Sequence, residues 1–334
     1  MDVRTIADTP THTTFCLDLS DAESTVYFDR AAVSVSTKHL VKGFRPGQAP
    51  WKILEKTLPR DTMYQEVAQA VLKGTLPDLL RAHNNRRRLG DPSIEFKTLE
   101  KDKGIRYEIS IAFWPVITLP EYKKLTVTQQ KGEASDKEVD RALDYLKKAR
   151  KSETIDDAFA RSVGNFKDLG ALKHSIREGI AYDKTSLQTE KSRGDLLEKI
   201  RKGAGIEIAP FLIDRETQKI LDYEHEQIQK SGSTIEEYLK NTGKSDEEFV
   251  AQVKEIAKKR LENALLLYEI AKQENITVSE DEVVLRLNQI LSRLASVAEA
   301  KGQLDPATLK DRLYQQILEE KVFSEALDKQ IITE

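Results

Sequence analysis

From residue 126 onward the chain announces helices and little else. Four segments open with a hydroxyl residue followed three positions later by glutamate: Ser135/Glu138, Thr234/Glu237, Ser245/Glu248 and Ser279/Glu282. In such a capping box the hydroxyl and the carboxylate engage N–H groups that the first helical turn leaves without partners. Asp305-Pro306 marks a fifth start, with the acid as cap and the proline in the first turn, where its missing N–H is not needed. One-sided apolar stripes follow. One runs Phe249, Val253, Ile256, Ala257, Leu261, Ala264 and Leu265. A second runs Val283, Leu287, Ile290, Leu291, Leu294 and Val297, and a third Leu309, Leu313, Ile317, Leu318 and Val322. A helix with one apolar stripe must bury it against another helix. This half of the chain therefore predicts a mainly all-α, multi-helix body, with no repeat of fixed period.

The first 125 residues follow a different pattern. Thr14–Leu19 alternates apolar and polar, as a half-buried strand does. A helix is expected within Asp21–Leu40, then a loop from Val41 to Pro50 that holds Gly43, Pro46 and Gly47. Helix resumes after Pro50, with a stripe of Met63, Val67, Ala70 and Val71. Ile94 and Phe96 alternate, Lys101-Asp102-Lys103-Gly104 reads as a hairpin turn, and Ile105, Tyr107, Ile109, Ile111 and Phe113 alternate without a break. The pattern predicts an α+β domain, helices on a small antiparallel sheet. The division drawn from sequence is 1–125, a linker with a helix over 126–153, and a helical C-terminal domain over 154–334.

Composition closes several functional classes. The single cysteine, Cys16, allows no disulfide within the chain and no cysteine-based zinc site. The polar N-terminus carries no secretory pattern. The longest aliphatic cluster, Ala264-Leu265-Leu266-Leu267, is far short of the ~20 residues that span a bilayer. A cytoplasmic protein with no membrane partner is expected. Thr242-Gly243-Lys244-Ser245 has the ending of a phosphate-binding loop, but the required earlier glycine is Tyr238 and the flanks read as helix. The histidines His12, His39, His83, His174 and His225 are scattered, and no serine sits in a nucleophile elbow. No catalytic residue, no cofactor and no metal site is predicted.

Between Lys38 and Arg60 lie Lys38, Lys42, Arg45, Lys52, Lys56 and Arg60 against one acid, Glu55. Such a surface favours a polyanionic partner. Inside this window the loop Val41-Lys42-Gly43-Phe44-Arg45-Pro46-Gly47-Gln48-Ala49-Pro50 combines turn-forming residues with an aromatic and an arginine, the pairing common at interface hot spots. The loop resembles the Gly-Phe-Arg-x-Gly-Lys-x-Pro signature of the trigger factor family. Phe113-Trp114-Pro115-Val116 through Val127, the helix at Ser135–Leu143, Ile155–Ala160 with Phe166 and Leu172, and Ala271–Val283 are similar to successive segments of that family, in family order.

The resemblance implies an ATP-independent chaperone. Its docking residues would be Lys42, Gly43, Phe44, Arg45, Pro46 and Gly47, set against the large ribosomal subunit near the peptide exit, on ribosomal protein and rRNA. It implies a C-terminal body with extended arms whose concave surface holds nascent or unfolded polypeptides, and weak self-association off the ribosome. Tyr223, Tyr238 and Tyr314, which break the buried stripes, are the client-contact residues expected. Two departures stand out. The family carries an FKBP-type prolyl-isomerase domain after the linker helix. Here Tyr145–Lys151 runs almost directly into Thr154–Asp157, about 100 residues short, so isomerase activity is expected to be absent. The usual lysine after Gly47 is Gln48, which removes one docking charge. The alternatives are a ribosome-independent holdase or assembly scaffold, a prolyl isomerase acting through another site, and a nucleic-acid module at Asn84-Asn85-Arg86-Arg87-Arg88, for which a solvated turn is the simpler reading.

Overall fold

The computed structural model describes residues 1–83, 85–293 and 306–333. The expectations for Asn84, Leu294, Val297 and Asp305 fall outside these residues. Four strands, β1 (Asp2–Asp8), β2 (His12–Leu19), β3 (Ser93–Glu100) and β4 (Gly104–Ala112), form an antiparallel sheet in the order β1-β2-β4-β3. Helices α1 (Asp21–Lys38), α2 (Trp51–Thr57) and α3 (Arg60–Ala82) supply the rest of its core. The alternation sets which face is buried. Phe15, Leu17 and Leu19 of β2 and Ile105, Tyr107, Ile109 and Ile111 of β4 meet Phe28, Val35, Leu54, Met63, Val67 and Val71. On the other face Asp18 takes both Arg4 and Arg106.

Two local features were not read from the sequence. Strand β1 lies at the sheet edge and is almost wholly exposed, so its side chains carry no alternation, and it is bulged between Thr5 and Ala7. It forms because the free backbone edge of β2 offers a ladder to any extended neighbour. The helix expected after Pro50 is two helices. Leu58, which precedes Pro59, is forced out of the helical region and sits extended at φ −124° and ψ 153°.

The hairpin between β3 and β4 closes on Gly104, at φ +78°, where an added Cβ would lie 2.5 Å from the Leu19 carbonyl oxygen. Positive φ and a backbone clash act together here. Gly104→Ala is expected to cost about 3 kcal/mol, read as a lower urea midpoint for the N-terminal sheet.

The second half contains α4 (Asp136–Arg150), α5 (Asp157–Val163), α6 (Leu169–Ala204), α7 (Pro210–Lys230), α8 (Ile235–Thr242), α9 (Asp246–Gln273), α10 (Glu280–Arg293) and α11 (Pro306–Val322). The described residues are thus an α+β domain followed by a multi-helix part. Two short strands that sequence does not reveal, β5 (Val127–Gln129) and β6 (Ile331–Thr333), pair in parallel. Three residues are too few for a period of two to register.

All four capping boxes form, with the serine or threonine N–H donating to the glutamate three residues on. The Lys184 ammonium, aided by Ser135, holds the Glu138 carboxyl down at about 2. Lys321 with Ser279 does the same for Glu282, also at about 2. Both values lie below that of an unfolded glutamate, so the stabilisation is complete above about pH 4.3 and disappears as pH falls toward the folded value. Acidification through that window is expected to fray the first turns of α4 and α10, with carboxyl NMR midpoints near 2 for these two residues.

By compactness the chain groups into residues 1–116 with 207–258, and 117–206 with 259–334. Within the first group, Phe211 meets His12 edge-on at 6.1 Å. Arg215 donates to the carbonyls of Asp91 (3.0 Å) and Pro92 (3.1 Å). Helix α9 contributes residues to both groups, and this corrects its expected stripe. Phe249, Val253, Ala257 and Leu265 are buried, but Ile256 is 46% exposed and Ala264 is exposed. From Glu262 on, the buried face is Leu266, Leu267, Ile270 and Ala271. One phase carried along the whole helix fails because its two ends answer to different neighbours. The stripes of α10 and α11 pack as expected, through Val283, Leu287 and Ile290 against Leu309, Leu313 and Ile317.

Candidate functional site

The loop between α1 and α2 is fixed at both ends and bare in the middle. Val41 packs on the N-terminal core, and Ala49 and Trp51 are buried in it, Trp51 edge-on to Phe28 at 4.9 Å. Between them stand two consecutive tight turns. The Phe44 N–H donates to the Val41 carbonyl (3.1 Å) with Gly43 at φ +88°, and the Gln48 N–H donates to the Arg45 carbonyl (3.0 Å) with Gly47 at φ +81°. A positive φ at the third position defines a type II turn, which demands glycine there and favours proline just before it, as Pro46 is. The sequence thereby dictates the tip. Lys42, Phe44, Arg45 and Pro46 are all exposed, the phenylalanine by 38%.

The charge around the tip is less uniform than the sequence window implied. Lys38 is paired with Glu66, and the Arg60 guanidinium stacks on the Tyr64 ring at 4.8 Å. Lys42, Arg45, Lys52 and Lys56 have no carboxylate partner among the described residues, and Lys42 and Arg45 share the exposed tip with Phe44. Exposed apolar residues also occur on α1 and just after it. Leu40 is 90% exposed, and Val26 and Val33 stand on the outer side of α1, opposite the buried Phe28, Ala31, Ala32 and Val35. Val33, Gln48 and Trp51 help line an open depression of about 630 Å³ beside the turns. Val26, Val33 and Leu40 were not among the residues expected from sequence. The seven-residue spacing of Val26 and Val33, offset from the buried stripe, is the signal that sets those two on one outer side of α1, while Leu40 lies past its end.

The other expected residues are dispersed. Tyr223 on α7 is 58% exposed. Tyr238 is half-buried with its ring edge-on to Phe249 at 5.9 Å. Tyr314 is half-buried against the cores around α9 and α11. Gly243, at φ +68°, ends α8 and Ser245 caps α9, so the Gly-Lys-Ser run is a helix-to-helix turn with no strand before it. Among the described residues no cluster of three or more histidine, cysteine or acidic side chains is arranged to hold a metal, and no helix is long and apolar enough to cross a membrane. Arg86 and Arg87 of the short basic run lie over the rings of Phe113 and Trp114, at 3.9 and 4.1 Å. Helix α4 ends on Lys151 at φ 53°, and Asp156 already caps α5, so only a few residues separate the two helices.

Comparison with known proteins agrees with this arrangement. The family model described as bacterial trigger factor protein matches residues 1–146, and that of its C-terminus matches residues 168–328. The trigger factor of Caldicellulosiruptor bescii is 22% identical over 374 residues, 84% of this chain and 83% of the relative. That of Thermus thermophilus is 23% identical over 373, covering 86% and 89%. That of Thermobifida fusca is 20% identical over 413, covering 96% and 88%. Each alignment is longer than the 334 residues of this chain, so these relatives carry residues that it lacks. A structure solved for "Promiscuous Substrate Recognition in Folding and Assembly Activities of the Trigger Factor Chaperone" has the same fold, with a TM-score of 0.52 and 17% identity over 99% of this chain and 100% of the other. The molecule is thus a protein-folding chaperone by class. It belongs to the trigger factor family, and no isomerase domain is matched between its two conserved parts.

Proposed function

We propose that this chain is an ATP-independent chaperone that docks on the large ribosomal subunit near the peptide exit and holds nascent or unfolded polypeptides, without prolyl-isomerase activity. The observation that carries the reading is the Phe44–Arg45 tip, held outward by two glycine turns in a member of this family. Residues 1–125 dock, 126–153 link, and 154–334 hold clients. Lys42, Gly43, Phe44, Arg45, Pro46 and Gly47 meet ribosomal protein and rRNA, with Val33 and Leu40 widening the apolar contact. Client contact is assigned first to Tyr223, whose ring is the most open of the three tyrosines, then to Tyr238 and Tyr314. The molecule works in the cytoplasm and self-associates weakly when undocked. The direct passage from α4 to α5 supports the absence of isomerase activity, and a proline-limited refolding assay should show no acceleration.

A second reading, a ribosome-independent holdase, is favoured by Gln48 alone. Co-sedimentation of the wild type with intact ribosomes across a salt series separates the two. Docking predicts pelleting that weakens as salt rises. No pelleting at any salt, with aggregation of a denatured client still suppressed in the absence of nucleotide, would establish the second reading. Restoring the charge tests the role of the loop rim. Gln48→Lys is expected to raise the association rate several-fold at low salt and to steepen its salt dependence, with little change in dissociation.

A further inference from the structure

The stretch from the end of α4 through α5 carries a cluster of cations. Helix α4, α5 and the start of α6 share a small core of Val139, Leu143, Phe159, Ala160 and Leu172. At the end of this module where α4 meets α5 lie Lys147, Lys148, Arg150, Lys151 and Arg161. None of the five pairs with a carboxylate among the described residues. Arg150 and Arg161 donate to carbonyl oxygens, those of Val163 and Lys167, and Arg161 adds to the backbone bonds that hold the Asp156 carboxyl below its usual range.

Three of the nearby acids are committed to backbone N–H groups, while Asp144, one turn before Lys147 and Lys148, and Glu153 stay exposed beside the cations. Asp156 accepts the Phe159 N–H (2.8 Å), Asp157 the Leu169 N–H (2.8 Å) and Asp168 the Ala171 N–H (2.7 Å). These bonds turn three carboxylates onto helix N-termini, and Lys148, Arg150, Lys151 and Arg161 are exposed. Tyr145 stands one turn before Lys148 on α4, 73% exposed, so the two share one side of the helix.

We propose that this surface binds single-stranded RNA. Closely spaced lysines and arginines without internal partners take up phosphates and release counterions. An exposed aromatic ring beside them offers a base a platform to stack on. A lipid surface fits less well, because α4 buries its apolar face in the module and leaves none to sink into a bilayer. The Arg86–Arg88 run lacks this availability, since Arg86 and Arg87 already lie over rings of their own domain. The inference stands on the α4–α5 module and does not require the Phe44 tip to dock.

The test is fluorescence anisotropy of a labelled short oligouridine RNA with the full chain across a salt series. The K147Q/K148Q/K151Q variant is expected to lose affinity by about tenfold or more at low salt. Its slope of log affinity against log salt should flatten by about 2, since each single-strand phosphate contact contributes about 0.7. The lysine-to-arginine triple K147R/K148R/K151R should bind as the wild type does. Tyr145→Ala should weaken binding about tenfold without changing the slope. The proposal is overturned by a wild type that does not bind, by a glutamine triple that binds as well as wild type, or by a Tyr145→Ala variant with unchanged affinity, which would reduce the surface to a general polyanion patch. Tighter binding to phosphatidylglycerol vesicles or to an oligoglutamate peptide than to RNA would also overturn it.

Discussion

Replacing Phe44 and Arg45 together with alanine is expected to lower ribosome affinity about a hundredfold or more while leaving the thermal melt unchanged. Aromatic and arginine anchors at the centre of an interface commonly cost 2 kcal/mol or more each when truncated, roughly thirtyfold apiece. The fold has little to lose. The ring packs partly on its own domain but stands outside the buried core, and the two turns depend on Gly43 and Gly47 rather than on the residues removed. Co-sedimentation at fixed salt, with a melting curve alongside, reads both halves of the expectation. Equal pelleting of the variant and the wild type would reject the assigned loop. A lowered melt would mean that the variant tests stability instead, and the single Arg45→Ala change would then carry the comparison.

Glu262→Ala is expected to be the most damaging change in the helical part, at about 3 kcal/mol or more. Glu262 of α9 is almost completely buried and accepts a 2.9 Å bond from the Arg201 guanidinium of α6, itself mostly buried. Removing the acid leaves a cation in the core without its counter-charge, and breaking such a pair costs more than the pair contributes. The double variant Arg201→Met/Glu262→Leu removes both charges and should recover most of the loss. Urea unfolding of the two variants and the wild type gives the comparison. A double variant no more stable than Glu262→Ala would show that the pair does more than satisfy its own charges.

Legibility in the sequence followed burial and length. The cleanest strand, β4, and the four capped helix starts were visible because each leaves a periodic or spaced signal over several residues. Strands β1, β5 and β6 left none: the first is bare on both faces and the others are three residues long. The projecting tip was legible because Gly43, Pro46 and Gly47 encode its turns directly. Val26 and Val33 were legible only as a second stripe on α1, since the sequence does not say which stripe the sheet covers, and Leu40 lies past the end of the helix. Among the tyrosines, only coordinates could separate Tyr223, which is open, from Tyr238, which lies against Phe249.

The amino-acid sequence alone settled the class of each half, the loop that projects, and the direct passage from linker helix to helical body. These are local matters of hydrogen-bond caps, glycine dihedrals and the period of apolar residues. Tertiary structure alone decided that residues 207–258 group with the first 116, that α9 changes its buried face along its length, and that Asp157 reaches across to the Leu169 N–H at the start of α6. Each of those outcomes depends on which distant segment arrives as a neighbour, and a partner brought by folding leaves no mark in the residues that receive it.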